Sequence, residues 1–559
     1  MSGSNASNFE RTVKLRRLMN STSSRREFLN RAAAAGLIPV VAGGAGLSGM
    51  ASASAKQENS PVQGGTFVTL GHQEVATLSP EGAGPTVQWV AITQIHNALY
   101  EVNANLELVP VLAESFEPSD DGLTYTFRLV DGVTFHNGDS FTSADVLYTY
   151  EWIMDEANAS TRLADFGLVE SVEAPDDFTI VVTLNEPDVT FMVNVAPTFI
   201  YPSAYHAEVG EEEYSANPVG TGPFRLLEWN AQQRTLLEAY EEHFRGRANF
   251  DQFQLDVVPE AGGRLAALES GQADNSIWAL NAEDNVTLEE SGDFTVFETL
   301  NVAVNHFPMN NTHPVLGDRA VRRALMHAID REAIARDIFQ DQAVLATSNL
   351  SPKIEMYYNE DVMMYDYNPE TAMQLLEEAG WVMGDDGIRE KDGQALTFTC
   401  VTITGDSQRR PEAEIAQQQF QEIGVDMQLQ EATVDIILEA MVAGEMDMSL
   451  FNWTYGGSAG GDPDARDTLM TGGANNFSNF SNERVDELLV QGVTELDEEA
   501  RVEIYREIQT IVAEEVPFLF LLYFTGFSFY ANSIQGLPES VLQSDNIYPF
   551  AYQLWKDEA

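Results

Sequence analysis

Between residues 317 and 453, long helical patterns alternate with short apolar runs, and this alternation restricts the fold more than any other feature of the chain. Helical periodicity covers "GDRAVRRALMHAIDREAIARDIF" (317–339), "NPETAMQLLEEAGW" (368–381) and "RPEAEIAQQQFQEIG" (410–424). Strand patterns fill "ALTFTCVTIT" (395–404), "VDMQLQEA" (425–432) and "DMSLFNW" (447–453). A helix between successive strands returns the chain to the same end of a sheet, so a mostly parallel sheet with covering helices is expected.

The first half has a different texture. "GGTFVTLG" (64–71) and "LTYTFRLVDGVTFHNG" (123–138) alternate apolar and polar residues around Asp-Gly and Asn-Gly turn signals and read as β. "TSADVLYTYEWIMDE" (142–156) reads as a helix with Thr142 or Ser143 as N-cap. "NPVGTGPFRLLEW" (217–229), the densest cluster of turn residues in this half, enters a strand and marks a domain crossing.

Charge divides the chain near residue 55. The first 55 residues hold seven basic and two acidic groups, so the other 504 carry 23 basic and 85 acidic ones, a net −62. The leader contains Ser24-Arg25-Arg26-Glu27-Phe28-Leu29, similar to the twin-arginine export signal, then an apolar stretch and an Ala53-Ser54-Ala55 cleavage site. An uncleaved anchor is the competing reading. Pro39 and five glycines in the stretch favour cleavage, with a mature start near Lys56. The lone Cys400 leaves no lipid-attachment cysteine and no intrachain disulfide, so a soluble periplasmic or cell-surface protein is expected. The acidic excess disfavours nucleic acid as a partner. Spread along the chain with only five lysines against 25 arginines, it reads as a salt-adapted surface whose self-repulsion is screened at high ionic strength.

One loop asks for a functional reading: "NWTYGGSAGGDPDA" (452–465) contains a literal G-x-S-x-G around Ser458. A hydrolase elbow requires the histidine after the serine, yet all eight histidines (His72, His96, His136, His206, His243, His306, His313 and His327) precede it. Glycines instead let backbone approach a ligand, so Trp453, Tyr455, Gly456, Gly457 and Ser458 are candidate ligand contacts, the two rings offering flat apolar faces. Asp462 is expected to cap a helix that starts at Pro463 and is a further candidate ligand contact, as a carboxylate beside the glycine loop. A secreted serine hydrolase using Ser458, and a sensory or chaperone-like binding module, remain the alternatives. No H-E-x-x-H or phosphate loop occurs, so no metal, no cofactor and no ATPase activity are expected; His327 and Arg323 read as packed or solvated helix residues.

Four stretches together resemble the family 5 extracellular solute-binding proteins of ABC importers: "LAESFEPSDDGLTYTFRLVDGVTFHNGDSFTSADVLYTYEWI" (112–153), "NPVGTGPFRLLEW", "HPVLGDRAVRRALMHAIDREAI" (313–334), and "EEAGW" (377–381) through "DPDA" (462–465) to "NFSNERVDELL" (479–489). The resemblance implies an α/β, two-lobed clamshell of mixed sheets flanked by helices, with an extra domain. Lobe I would comprise 62–90, 218–300 and 532–559, the inserted domain 91–217 and lobe II 301–531, with hinges near 217–221 and 531–535. It implies a non-enzymatic receptor that delivers a peptide-like or small-molecule ligand to ABC permease transmembrane subunits, after export by the twin-arginine translocase. Leu78 and Ser79 would border the cleft, and Phe527 or Tyr530 could face it. Peptide-binding members place an acid three residues after the matching tryptophan; here that position is Gly456, which shifts weight toward oligosaccharides, N-blocked peptides or other neutral solutes.

Overall fold

Two long strands, Phe294–Pro308 and Phe518–Ala531, pair antiparallel over most of their length and form the spine of a nine-stranded sheet. Residues 518–523 are buried without alternation, because both faces of the sheet are covered there, and a doubly covered strand reads as the continuous apolar run "FLFLLY". The sheet runs from Phe451–Trp453 through Phe294–Pro308, Phe518–Ala531, Asn275–Ser276, Thr66–Gly71, Gln252–Val257 and Arg234–Ala239 to Phe224–Asn230, with Ala343–Leu345 also pairing with Phe518–Ala531. Only Thr66–Gly71 pairs parallel with its neighbours, so the sheet is mixed.

These relations come from a computed structural model that describes residues 61–81, 86–103, 106–276, 280–404, 406, 408–454, 461–539, 541 and 548–557. The leader, its cleavage site, and Tyr455, Gly456, Gly457 and Ser458 lie outside the described residues. Pro61–Ala559 forms one compact unit.

The parallel arrangement expected for the second half is confined to a three-stranded sheet, Asp426–Ala432, Thr397–Ile403 and Met448–Ser449. The expected strand 447–453 breaks at Leu450. Its first part continues the parallel sheet, whereas Phe451–Trp453 crosses to the edge of the large sheet, opposite Val304–His306. The expected helix 317–339 likewise divides into Arg319–Ala328 and Arg331–Asp337. Asp330 restarts it by accepting the Ala333 amide at 2.8 Å, an N-cap inside what looked like one periodic run.

Residues 113–184 build a separate four-stranded antiparallel sheet ordered Ala113–Pro118, Thr124–Leu129, Thr179–Leu184, Val169–Asp176. Beyond Leu129 the expected β-stretch becomes turns and an isolated Thr134–Ser140 bridge. Helix Ser143–Met154 starts at the expected N-cap, Thr142, and the structure adds a capping box: Thr142 accepts the Ala144 amide, and Asp145 accepts the Thr142 amide at 2.9 Å. Buried apolar residues gather in three main cores, drawn from 67–95, 224–255 and 530–554; from 99–200; and from 302–523.

The "NPVGTGPF" crossing packs backbone against backbone. Gly222 donates its amide to the Ile95 carbonyl at 2.8 Å, and a Cβ there would lie 2.3 Å from the Gln94 carbonyl oxygen; at Gly220 it would lie 2.0 Å from that of Ile95. Only glycine fits such an approach. Cys400 is fully buried and free, and burial raises its thiol far above the ordinary range. No helix among the described residues is long and apolar enough to cross a membrane.

Candidate ligand-binding site

A cavity of about 950 Å³ lies where the segment 161–194 faces the edge strand Phe451–Trp453 and the loop that follows it. Thr161, Asp165, Asp188, Thr190, Phe191 and Asn194 supply one wall; Asn452, Trp453, Asp462, Asp464, Arg466 and Asp467 supply the other. That volume is typical of small-ligand sites, as is the mixture of aromatic faces with a few polar groups.

Trp453 is held by its strand, opposite Val304, and its ring packs edge-on against Phe477 with centroids 5.0 Å apart. Half-buried, it lines the cavity with part of its ring. The preceding Asn452 accepts a hydrogen bond from Arg409, whose guanidinium also binds Asp406 and lies over the Phe451 ring. Behind the strand, Asn305 pairs with Asn452 in register and donates Nδ2 to Glu412 at 2.5 Å. Complete burial pushes the Glu412 carboxyl up to about 8, with Asn305 and Arg409 opposing that shift.

Asp462 lines the cavity but caps no helix. The helix that follows is the short Arg466–Leu469, and its cap position, Ala465, makes no side-chain bond. Asp462 Oδ1 instead accepts the Asp464 amide at 2.9 Å, and both carboxylate oxygens meet Arg501 Nη2 at 2.8–2.9 Å. A buried guanidinium 39 residues away outcompetes the local cap, because an unpaired buried carboxylate is far costlier than a missing cap. Arg501 also donates to the Tyr357 hydroxyl and the Gly492 carbonyl. Burial works against its charge, yet Asp462 raises it above its ordinary value.

Arg466 joins the two walls. Its Nε contacts both Asp464 oxygens at 3.1 Å, and its Nη2 lies 2.9 Å from Asp464 and 3.4 Å from Asp188 Oδ2. Burial opposes the Arg466 charge, but Asp464 and then Asp188 raise it overall. Asp188 Oδ1 accepts from both the amide and hydroxyl of Thr190, each at 2.7 Å, and the Val189 amide donates to the Val493 carbonyl at 2.9 Å.

Leu78, Ser79 and Phe527 are not among the lining residues. Leu78 is fully buried in the core with Phe67 and Val90. Ser79 is equally buried, 3.3 Å from the Tyr201 hydroxyl. Phe527 stacks on Phe529 inside a separate small core, and Tyr530 is fully buried against Phe297. Tertiary contacts with residues more than a hundred positions away turn the 70–80 loop inward, which no local signal announces. Conversely, Asp188, Phe191, Arg466 and Asp467 reach the cavity without having been singled out. The polar run "DPDARD" is the one local hint, and the resemblance covers only its first four residues, "DPDA" (462–465). No group of His, Cys, Asp or Glu suited to a metal occurs among the described residues.

The mixed sheet, the separate cores it joins and the cavity between two walls of one chain are those of a two-lobed α/β protein. The chain belongs to family 5 of the bacterial extracellular solute-binding proteins: that family's model, described as its middle region, matches residues 107–476. The oligopeptide-binding protein AppA of Bacillus subtilis is 27% identical over 506 residues, covering 88% of this chain and 90% of that protein. The heme-binding protein A of Haemophilus influenzae is 29% identical over 487 residues, covering 81% and 86%. The structure of Bacillus subtilis AppA in complex with a nonapeptide superposes with a TM-score of 0.78 at 26% identity, covering 89% of this chain and all of that one. The family consists of extracytoplasmic substrate-binding components of ABC transporters, and this chain is a substrate-binding receptor of that kind.

Proposed function

We propose that the mature protein captures a peptide-like solute in the cleft and delivers it to an ABC permease, after export through the twin-arginine translocase and cleavage near Lys56. The observation that carries this reading is the cavity of about 950 Å³ with Trp453 in its wall, in a chain similar along nearly its full length to an oligopeptide-binding protein. Closure would bring 91–217 and 301–531 together over the ligand, a hinge movement in which the ligand favours the closed state. Tyr455, Gly456, Gly457 and Ser458 would add backbone hydrogen bonds from the adjoining loop. Ser458 is read as a contact rather than a nucleophile, and the acidic exterior as a salt-adapted surface in a periplasm or at a cell surface.

A second reading, an oligosaccharide or other neutral solute, is favoured by one observation. Gly456 stands where peptide-binding members have an acid, and Asp462, the nearest substitute, is committed to Arg501. Thermal unfolding of the mature protein in molar salt, with free peptides, N-acetylated peptides and oligosaccharides, separates the two. A ligand at a hundred times its Kd adds about 2.7 kcal/mol. Stabilisation by free-amino peptides supports the first reading, and stabilisation by sugars or blocked peptides alone supports the second. If no member of the panel stabilises the protein, the receptor assignment to these solute classes fails.

A further inference from the structure

We propose that the cleft selects against ligands with an unpaired carboxylate and admits neutral or cationic ones, Asp464 and Asp188 setting this selectivity by occupying Arg466. The proposal rests on the receptor reading above and adds the charge class of the solute.

Arg466 is the one guanidinium among the described lining residues, against five lining carboxylates, Asp165, Asp188, Asp462, Asp464 and Asp467. It is already bound from both sides: Asp464 grips it within its own loop, and Asp188 reaches it from the opposite wall. The guanidiniums one side chain behind the lining are committed as well. Arg501 is bound to Asp462, Arg162 holds Asp165 at 3.1 Å and the Asn194 carbonyl at 2.5 Å, and Arg409 is bound to Asp406. After these pairings one lining carboxylate remains, Asp467, which accepts a hydrogen bond from Asn475 and meets no cation among the described residues. The undescribed loop 455–460 reads Tyr-Gly-Gly-Ser-Ala-Gly, and no Lys, Arg or His occurs among the undescribed residues after Pro61. Among the described residues, each guanidinium in or directly behind the lining is thus already bound to a carboxylate.

A ligand carboxylate entering this cavity has two courses. It can remain unpaired in a partly desolvated, acidic surrounding, or it can displace Asp464 or Asp188 from Arg466 and leave that acid unpaired. An amide, ester or hydroxyl at the same place incurs neither penalty. Discrimination by a penalty built against the wrong partner needs no additional attractive contact.

The test is competitive selection. The mature protein, in molar salt, is offered an equimolar library of uncharged tetrapeptides, half with C-terminal amides and half with free carboxylates, and the retained fraction is read by mass spectrometry. The expected result is enrichment of amides by at least about tenfold, as a single unpaired-charge penalty would give. In the double variant Asp188→Asn, Asp464→Asn the enrichment should fall toward one, because Arg466 is freed. In Arg466→Gln it should persist, which also covers the case in which the double variant does not fold. Equal retention, enrichment of the acids, loss of the amide preference in Arg466→Gln, or retention of no peptide at all would overturn the proposal. Stabilisation by oligosaccharides in the thermal panel would still leave the receptor reading standing.

Discussion

Glu412 occupies a position where a carboxylate is poorly tolerated, fully buried beside Asn305 on the strand that backs the cavity wall. Burial pushes its carboxyl up to about 8 in the folded protein, against about 4.3 for an unperturbed glutamate. Across that window the folded chain keeps a proton that the unfolded chain has lost, so this residue makes stability fall as pH rises from about 4 to 8. Glu412→Gln removes the titration. Urea unfolding at pH 5 and pH 8 should show the variant gaining on the wild type by a few kcal/mol, on the order of the shift itself; a difference independent of pH would mean that Glu412 is ionised in the fold. Buried arginines tell a related story. Arg322, Arg331 and Arg389 donate to backbone carbonyls, Arg331 to those of Ala346, Phe520 and Tyr365. Part of the arginine excess thus supports interior loops, which lysine's single ammonium could not do in the same geometry. Read as composition alone, that excess points only to the surface.

Among the elements, those with local signals were legible and those fixed by distant partners were not. Helix Ser143–Met154 follows from its periodicity and from the N-cap expected of Thr142. The break at Asp330 and the sheet change at Leu450 are decided by packing. The cap expected of Asp462 loses to Arg501, and the 70–80 loop is turned inward by Tyr201. Of the candidate contacts, Trp453 and Asp462 line the cavity, whereas Asp188 arrives from a stretch, "NEPDVT", that reads as an ordinary turn. The crossing at 217–223 yields an element-scale prediction. Gly222→Ala forces a Cβ within 2.3 Å of the Gln94 carbonyl oxygen, a contact that backbone on both sides cannot easily relieve. A loss of about 3 kcal/mol in denaturant unfolding is expected, at the upper end of typical overpacking costs; a loss below about 0.5 kcal/mol would show that the crossing yields without strain.

For the whole molecule, one continuous sheet carries the chain between cores while the cavity forms against its edge. The long pair Phe294–Pro308 and Phe518–Ala531 contains a register shift between Leu300 and Val304, just before the residues that pair with Phe451–Trp453. Closure about the proposed hinges near 217–221 and 531–535 would displace the Trp453 wall relative to the 161–194 wall. The net −62 of residues 56–559 would oppose such closure in dilute solution and do so less in salt, where charges beyond a few ångströms are screened.

A solute bound in this cavity would rest against the Trp453 wall. Native mass spectrometry of the mature protein and of Trp453→Ala, each equilibrated with the peptide, blocked-peptide and oligosaccharide panel, tests it most directly. The expected result is a one-to-one complex with the wild type and a loss of at least about tenfold in occupancy for the variant, as removal of a central aromatic contact entails. A complex that survives Trp453→Ala unchanged, or a wild type that binds no member of the panel, would contradict it.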